Sequence, residues 1–165
     1  KALLKAAGYP DLTLDMYTAQ LFPGLADMPV LYKEMAKAGG VTVNVKNTPV
    51  QTYISSIILQ RPAFMDVWTR QHTMALVPLL YTAGSPYNET HYANAKVAKL
   101  FAAAAAQKSF AKQKALVADA AELIQNECSQ IIPVTQDLIW IRKKNVQGVQ
   151  VNWSSFVSVR NAWLT

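Results

Sequence analysis

One cysteine, Cys128, is too few for an intrachain disulfide or for a metal centre built from several thiolates. Histidine is almost as scarce: His72 and His91 lie far apart, and the HExxH spacing of a helical zinc site is absent. Glu89 lies near the second histidine, so a metal-dependent hydrolase built on His72, His91 and Glu89 is one reading, set against two ordinary surface or hydrogen-bonded histidines. No GxSxG, P-loop or strand-linked GxGxxG occurs, and Ser85 and Ser129 have no suitably spaced base. Cys128, at a helix end, reads as a small buried group and not as a reactive thiolate. No run reaches the roughly eighteen apolar residues of a membrane span, and Ala102 to Ala106 is too short and too small-sided.

Charge is sparse as well. Only 16% of the 165 residues are charged against 52% hydrophobic, which argues against disorder and for one domain with a sizeable core. The net charge of +6 is spread from Lys1 to Arg160, with Lys143-Lys144 nearest to a cluster. A nucleic-acid face would be denser and interleaved with aromatics, so nucleic acid is not an expected partner. The sequence opens inside a helical pattern, with neither an initiating Met nor a signal peptide, and is expected to be part of a longer protein.

What is present reads as an α/β chain. Lys1 to Ala7 is the end of a helix, stopped by Gly8 and Pro10. Leu12 to Tyr17 alternates apolar and polar residues, as a strand does. Ala26 to Ala38 has helical spacing through Met28, Leu31, Tyr32, Met35 and Ala38 and closes on Gly39-Gly40. Val41 to Lys46 alternates again, so a parallel, right-handed βαβ unit is expected. Thr48 and Pro49 predict a helix through about Leu59, with Tyr53, Ile54, Ile57 and Ile58 buried.

Beyond it, Ala75 to Thr82 reads as a short helix and Gly84 to Asn88 as a turn. Asn94 and Ser109 are caps for helices over Ala95 to Ala106 and Phe110 to Glu127, which should form a hairpin with Leu116, Ala120, Leu123, Ile124 and Glu127 facing the core. Two short strands are predicted, at Ile131 to Val134 and Leu138 to Ile141, and a last one near Val149 beyond Gly148.

The candidate site lies in Ala63 to Met74, where an apolar run, Phe64, Met65, Val67 and Trp68, ends in Arg70, Gln71 and His72. The run predicts a short buried strand, and ligand crevices form at strand ends in open α/β sheets. Composition alone favours the plainer reading, a core Trp68 followed by a solvated Arg70 and a loop His72. Asp66 within the run either points outward or pairs with a basic group across the sheet.

These segments together resemble a known family. KALLKAAGYPDLTLDMYT, AKAGGVTVNV, PVQTYISSIILQRPAFMDVW, SPYNETHY, the helical hairpin, QIIPV and KKNVQGV occur in the order found in family 5 extracytoplasmic solute-binding proteins, which serve peptide, nickel and opine ABC importers. The resemblance covers essentially all 165 residues. It implies one lobe of a bilobal periplasmic-binding-protein fold, a mixed sheet with flanking helices. On this reading residues 1–165 are a single C-terminal lobe fragment, the second lobe plus the closing tail, and the N-terminal lobe is a missing partner.

The resemblance further implies a non-enzymatic receptor, periplasmic or else extracellular and membrane-associated, with neither cofactor nor metal. Its partners would be a small-molecule or oligopeptide solute and an ABC permease at the membrane. Ligand-binding residues would be Trp68, Arg70, Gln71 and His72. In peptide-binding members an aspartate at the third position after the strand's Trp takes the ligand's α-amino group, and that position here is Gln71. A neutral amide cannot neutralise an ammonium, so the resemblance points away from free-N-terminus peptides. Arg70 and His72 would favour an anionic or hydroxyl-rich ligand such as an opine, a sugar conjugate or a modified peptide.

Overall fold

The computed structural model describes residues 1–135, 137, 139–152 and 156–165. Its chain falls into two units, Lys1–Trp68 and Thr69–Thr165, each with its own apolar cluster.

In the first unit α1 (Ala2–Ala6) is closed by amide bonds from Gly8 and Tyr9 to the carbonyls of Lys5 and Leu4. β1 (Thr13–Thr18), α2 (Met28–Gly39) and β2 (Thr42–Asn47) form the expected βαβ unit, with the strands parallel and in register from Thr13 opposite Thr42 to Thr18 opposite Asn47. Gly40 ends α2 in the left-handed region, φ 88°, and its N–H bonds back to the last helical carbonyls; this is the conformation for which glycine is favoured. The apolar face of α2 is only partly covered. Leu31 and Met35, two of the residues whose spacing marks the helix, are 65% and 68% exposed.

α3 (Val50–Ser56) is shorter than its sequence suggested. Pro49 occupies the N-cap position, while the Thr48 hydroxyl is drawn instead to the Thr18 carbonyl at 3.3 Å. The helix stops before Leu59, which has a positive φ of 64°. Tyr53 and Ile57 are buried with Ala19, flanked by Tyr17, Leu21, Ile58 and Phe64, whereas Ile54 faces outward at 54% exposure.

The strand expected over Phe64 to Trp68 is reduced to one parallel bridge between Phe64 and Tyr17. The Tyr17 N–H donates to the Ala63 carbonyl at 3.1 Å and the Met65 N–H donates to the Tyr17 carbonyl at 2.9 Å. There the ladder ends for two local reasons. The Met65 carbonyl accepts from the Tyr53 hydroxyl, and β1 stops at Thr18, whose own hydroxyl is engaged by the Leu25 carbonyl at 3.0 Å. The backbone from Asp66 to Gln71 has no regular pairing.

The second unit begins with α4 (Thr73–Tyr81), followed by α5 (Ala95–Ala105) and α6 (Phe110–Glu127). The predicted caps hold. Asn94 Oδ1 accepts from the Lys96 and Val97 amides at 2.8 and 3.3 Å, and Ser109 Oγ accepts from the Lys112 amide at 3.5 Å. α5 and α6 pack as the expected hairpin around Val97, Phe101 and Ala120, with Leu100, Val117, Leu123 and Ile124 against them. Glu127, placed inside by its spacing, is exposed at the helix end.

No strand forms at Ile131 to Val134 or at Ile139 to Ile141; Gln136 and Leu138 lie outside the described residues. Ile131, Ile132, Ile139 and Ile141 are 66%, 69%, 84% and 92% exposed. A strand needs a neighbour to satisfy its amides, and an apolar run does not supply one. The strand expected near Val149 is split at Gly148 into β3 (Val146–Gln147) and β4 (Gln150–Val151). These pair antiparallel with β6 (Trp163–Leu164) and β5 (Val157–Ser158) respectively. Gly148 permits the break: its φ is 71°, and a Cβ there would lie 1.9 Å from the Asn161 carbonyl oxygen.

Candidate functional site

Each side of the focal stretch is anchored by its own hydrogen bonds. On the N-terminal side, the Tyr17 bridge and the Tyr53 hydroxyl fix Ala63 to Met65. On the C-terminal side, His72 is the N-cap of α4, its Nδ1 accepting from the Met74 amide at 3.3 Å. A side chain at this position caps the helix by accepting from a first-turn amide, and Nδ1 of His72 fills that role. Trp68 and Gln71 are half-buried, while Arg70 and His72 are exposed. Trp68 closes the first unit and the remaining three belong to the second. Within the second unit, an exposed guanidinium can attract an anion and a half-buried amide is a neutral donor and acceptor.

The SPYNETHY segment is organised from within. Asn88 is 5% exposed, donates Nδ2 to the carbonyls of Thr82 at 3.2 Å and Tyr92 at 2.8 Å, and accepts at Oδ1 from the Tyr92 amide at 3.1 Å and the Thr90 hydroxyl at 3.3 Å. These bonds satisfy a buried amide and tie both ends of the loop together. The loop is then fastened to the end of α6. Glu127 Oε2 accepts from Asn94 Nδ2 at 2.6 Å and from the Tyr92 hydroxyl at 2.9 Å, Tyr81 donates to Gln130, and Cys128 Sγ contacts the Thr90 hydroxyl at 3.4 Å. The sequence contained one part of this cluster, the Asn94 cap; the convergence on Glu127 is tertiary and left no periodic signal.

Ionisation follows from these contacts. The bonds from Asn94 and then Tyr92 hold the Glu127 carboxyl below the usual carboxylate range. Burial first, then the bond to Glu127, pushes the Tyr92 hydroxyl up, and burial with the charges of Cys128 and Glu89 does the same for Tyr81. A depressed carboxyl stabilises the fold above its unfolded-state value, and that contribution disappears as pH falls through the folded-state value. Glu127→Gln is therefore expected to lower Tm at neutral pH, with the gap to wild type closing through the acid range below the usual glutamate value. A thermal-melt series from neutral to strongly acid pH checks this; a gap of constant size throughout contradicts it.

Among the described residues no three His, Cys, Asp or Glu side chains are grouped as a metal ion would need. The hydrolase alternative through His72, His91 and Glu89 is not supported by this arrangement.

No protein-family model and no curated protein matches the sequence. Solved structures do. The dipeptide binding protein from Pseudoalteromonas sp. SM9913, in complex with Met-Leu, superposes with a TM-score of 0.72 at 16% identity, over 99% of this chain and 34% of its own. MoaA from A. tumefaciens R10, in complex with mannopinic acid, gives 0.66 at 25% identity, over 75% of this chain and 27% of its own. This chain has the fold of part of a family 5 solute-binding protein. NikA from Staphylococcus aureus, in complex with Ni(L-His)2, matches the same fold with a TM-score of 0.70 at 16% identity, over 93% of this chain and 34% of its own.

The chain thus spans about a quarter to a third of these solute-binding proteins, which are bilobal and non-enzymatic. Among its described residues no helix is long and apolar enough to cross a membrane.

Proposed function

We propose that this chain is the second-lobe portion and closing tail of a periplasmic solute-binding protein. The complete protein would enclose a peptide-like or related small solute between two lobes and deliver it to an ABC permease, without turnover and without a cofactor. The observation carrying this reading is the superposition over 99% of the chain on a dipeptide receptor. A single lobe offers half of an enclosing site, so the missing N-terminal lobe is the first partner.

Ligand class is a separate matter, because neighbours of one fold hold Met-Leu, mannopinic acid and Ni(L-His)2. The fold therefore does not choose among them, and the side chains of Trp68, Arg70, Gln71 and His72 must. By family position Gln71 replaces the carboxylate that pairs with a peptide's ammonium. An amide gives only a weak substitute for a charge-assisted bond. The exposed Arg70 and the half-buried Gln71 suit a ligand bearing an anionic or hydroxyl-rich group.

Gln71→Asp in the complete protein tests this assignment. Free-amine peptides should bind more tightly by about 1 to 2 kcal/mol, through a new charge-assisted hydrogen bond. Anionic ligands should bind more weakly, because the change brings like charge into a desolvated cleft. Calorimetry with free-amine dipeptides, their N-acetylated counterparts and sugar-acid conjugates reads both arms. An unchanged preference between amine-bearing and anionic ligands would remove Gln71 from the site.

A further inference from the structure

The focal stretch leaves the sheet under the control of a side chain, not of a strand. Tyr17 in β1 donates its N–H to the Ala63 carbonyl and accepts from the Met65 amide, which sets a parallel register about Phe64. Continued in that register, the next donor along β1, directed at the Met65 carbonyl, would be the Ala19 amide. β1 ends at Thr18, and the Met65 carbonyl accepts instead from the Tyr53 hydroxyl. Tyr53 belongs to α3 and is fully buried with Ala19 and Ile57, and its hydroxyl also lies 3.3 Å from the Tyr17 carbonyl.

A carbonyl oxygen held at Met65 fixes the plane of the peptide joining Met65 to Asp66. From Asp66 onward no ladder guides the backbone, and Trp68 follows two residues later, half-buried and still within the first unit. The direction in which the chain carries the indole is therefore set at that peptide. A phenylalanine at Tyr53 would fill the same space; what the hydroxyl adds is a fixed donor at the point where the ladder has run out.

We propose that Tyr53 is a positioning residue for solute binding: through the Met65 carbonyl its hydroxyl holds the segment that presents Trp68, so that the indole stands as a preformed wall before solute arrives. This rests on the assignment of Trp68 to the solute site. A wall already in place spares the solute the cost of ordering it.

Tyr53→Phe in the complete protein is the test, with circular dichroism checking that the variant is folded at the temperature used. With 5-fluorotryptophan incorporated, and the Trp68 signal assigned by its loss in Trp68→Phe, fluorine NMR should show one sharp Trp68 line in the wild type. In Tyr53→Phe that line should broaden or divide while the other tryptophan lines stay as they were, and no ligand is needed to see it. Calorimetry with Met-Leu and with mannopinic acid is the second arm. A solute that the wild type binds should lose about five- to tenfold in affinity in Tyr53→Phe, as when the binding-competent arrangement falls to about a tenth to a fifth of the population. Adding Tyr53→Phe to Trp68→Ala should cost nothing further, because the two changes act through one wall. An unmoved Trp68 line, wild-type affinity in Tyr53→Phe beside a weakened Trp68→Ala, or an equal further loss in the Trp68→Ala background overturns the proposal and leaves the site assignment standing. Wild-type affinity in Trp68→Ala defeats the assignment itself, and the proposal with it.

Discussion

Tyr53→Ala should cost the first unit about 4 kcal/mol of stability, in the range measured for removing a large buried ring. Tyr53 is fully buried, packs against Ala19 and Ile57, and its hydroxyl donates to the Met65 carbonyl and, at 3.3 Å, to the Tyr17 carbonyl. The substitution leaves a cavity and also an unpartnered carbonyl at Met65, where the chain leaves β1. The Tyr17 carbonyl keeps its bond from the Met65 amide. Tyr53→Phe keeps the ring and loses the hydroxyl, so it should cost only about 1 to 2 kcal/mol. A loss near 4 kcal/mol is a large share of the roughly 5 to 15 kcal/mol that typically holds a domain folded. Amide exchange at Leu14 to Thr18, in urea as a function of concentration, reads the local loss. Similar effects from the two substitutions, or a cost below about 1 kcal/mol for Tyr53→Ala, would show that the ring does not organise this unit.

Trp68→Ala should weaken solute binding by the complete protein by about 2 to 3 kcal/mol, roughly 30- to 150-fold. The indole is half-buried and follows the stretch that Tyr17 and Tyr53 hold in place. As one wall of the pocket it would contribute area and a polarisable face to any ligand, so the loss should be similar for amine-bearing and anionic solutes. Trp68→Phe should retain most of the affinity, because the wall remains. Calorimetry on both variants separates a wall from a remote support. A Trp68→Ala protein that binds as the wild type does would place the ring outside the site.

How far the sequence revealed the structure depends on the range of the interactions. The βαβ unit was legible because Leu12 to Tyr17 and Val41 to Lys46 alternate strictly and Gly39-Gly40 closes the helix between them. The helical hairpin was legible through its Asn94 and Ser109 caps. Phe64 to Trp68 was misread because hydrophobicity reports a wish for burial and not the presence of a partner edge; that edge ends at Thr18. Ile131 to Ile141 failed likewise, its apolar residues standing exposed among the described positions.

The candidate site was read differently. The apolar run marks the stretch and family resemblance singles out Gln71 within it; helical spacing predicts a buried Tyr53 ring but not its hydroxyl bond to the Met65 carbonyl, nor the His72 cap. Capping histidines are rarer than capping Asn or Ser, so the sequence carries no cap signal at His72, the N-cap of α4.

The central claim is that this chain forms part of a receptor that captures a small solute without altering it. Ligand-induced thermal stabilisation of the complete two-lobe protein across peptides, opines and sugar acids, with the solute recovered and weighed by mass spectrometry afterwards, tests that claim most directly. The account predicts a saturable rise in Tm with at least one of these classes, strongest for those with an anionic or hydroxyl-rich group, and recovery of the solute intact. A flat Tm across the whole panel, or a solute returned hydrolysed, would contradict it.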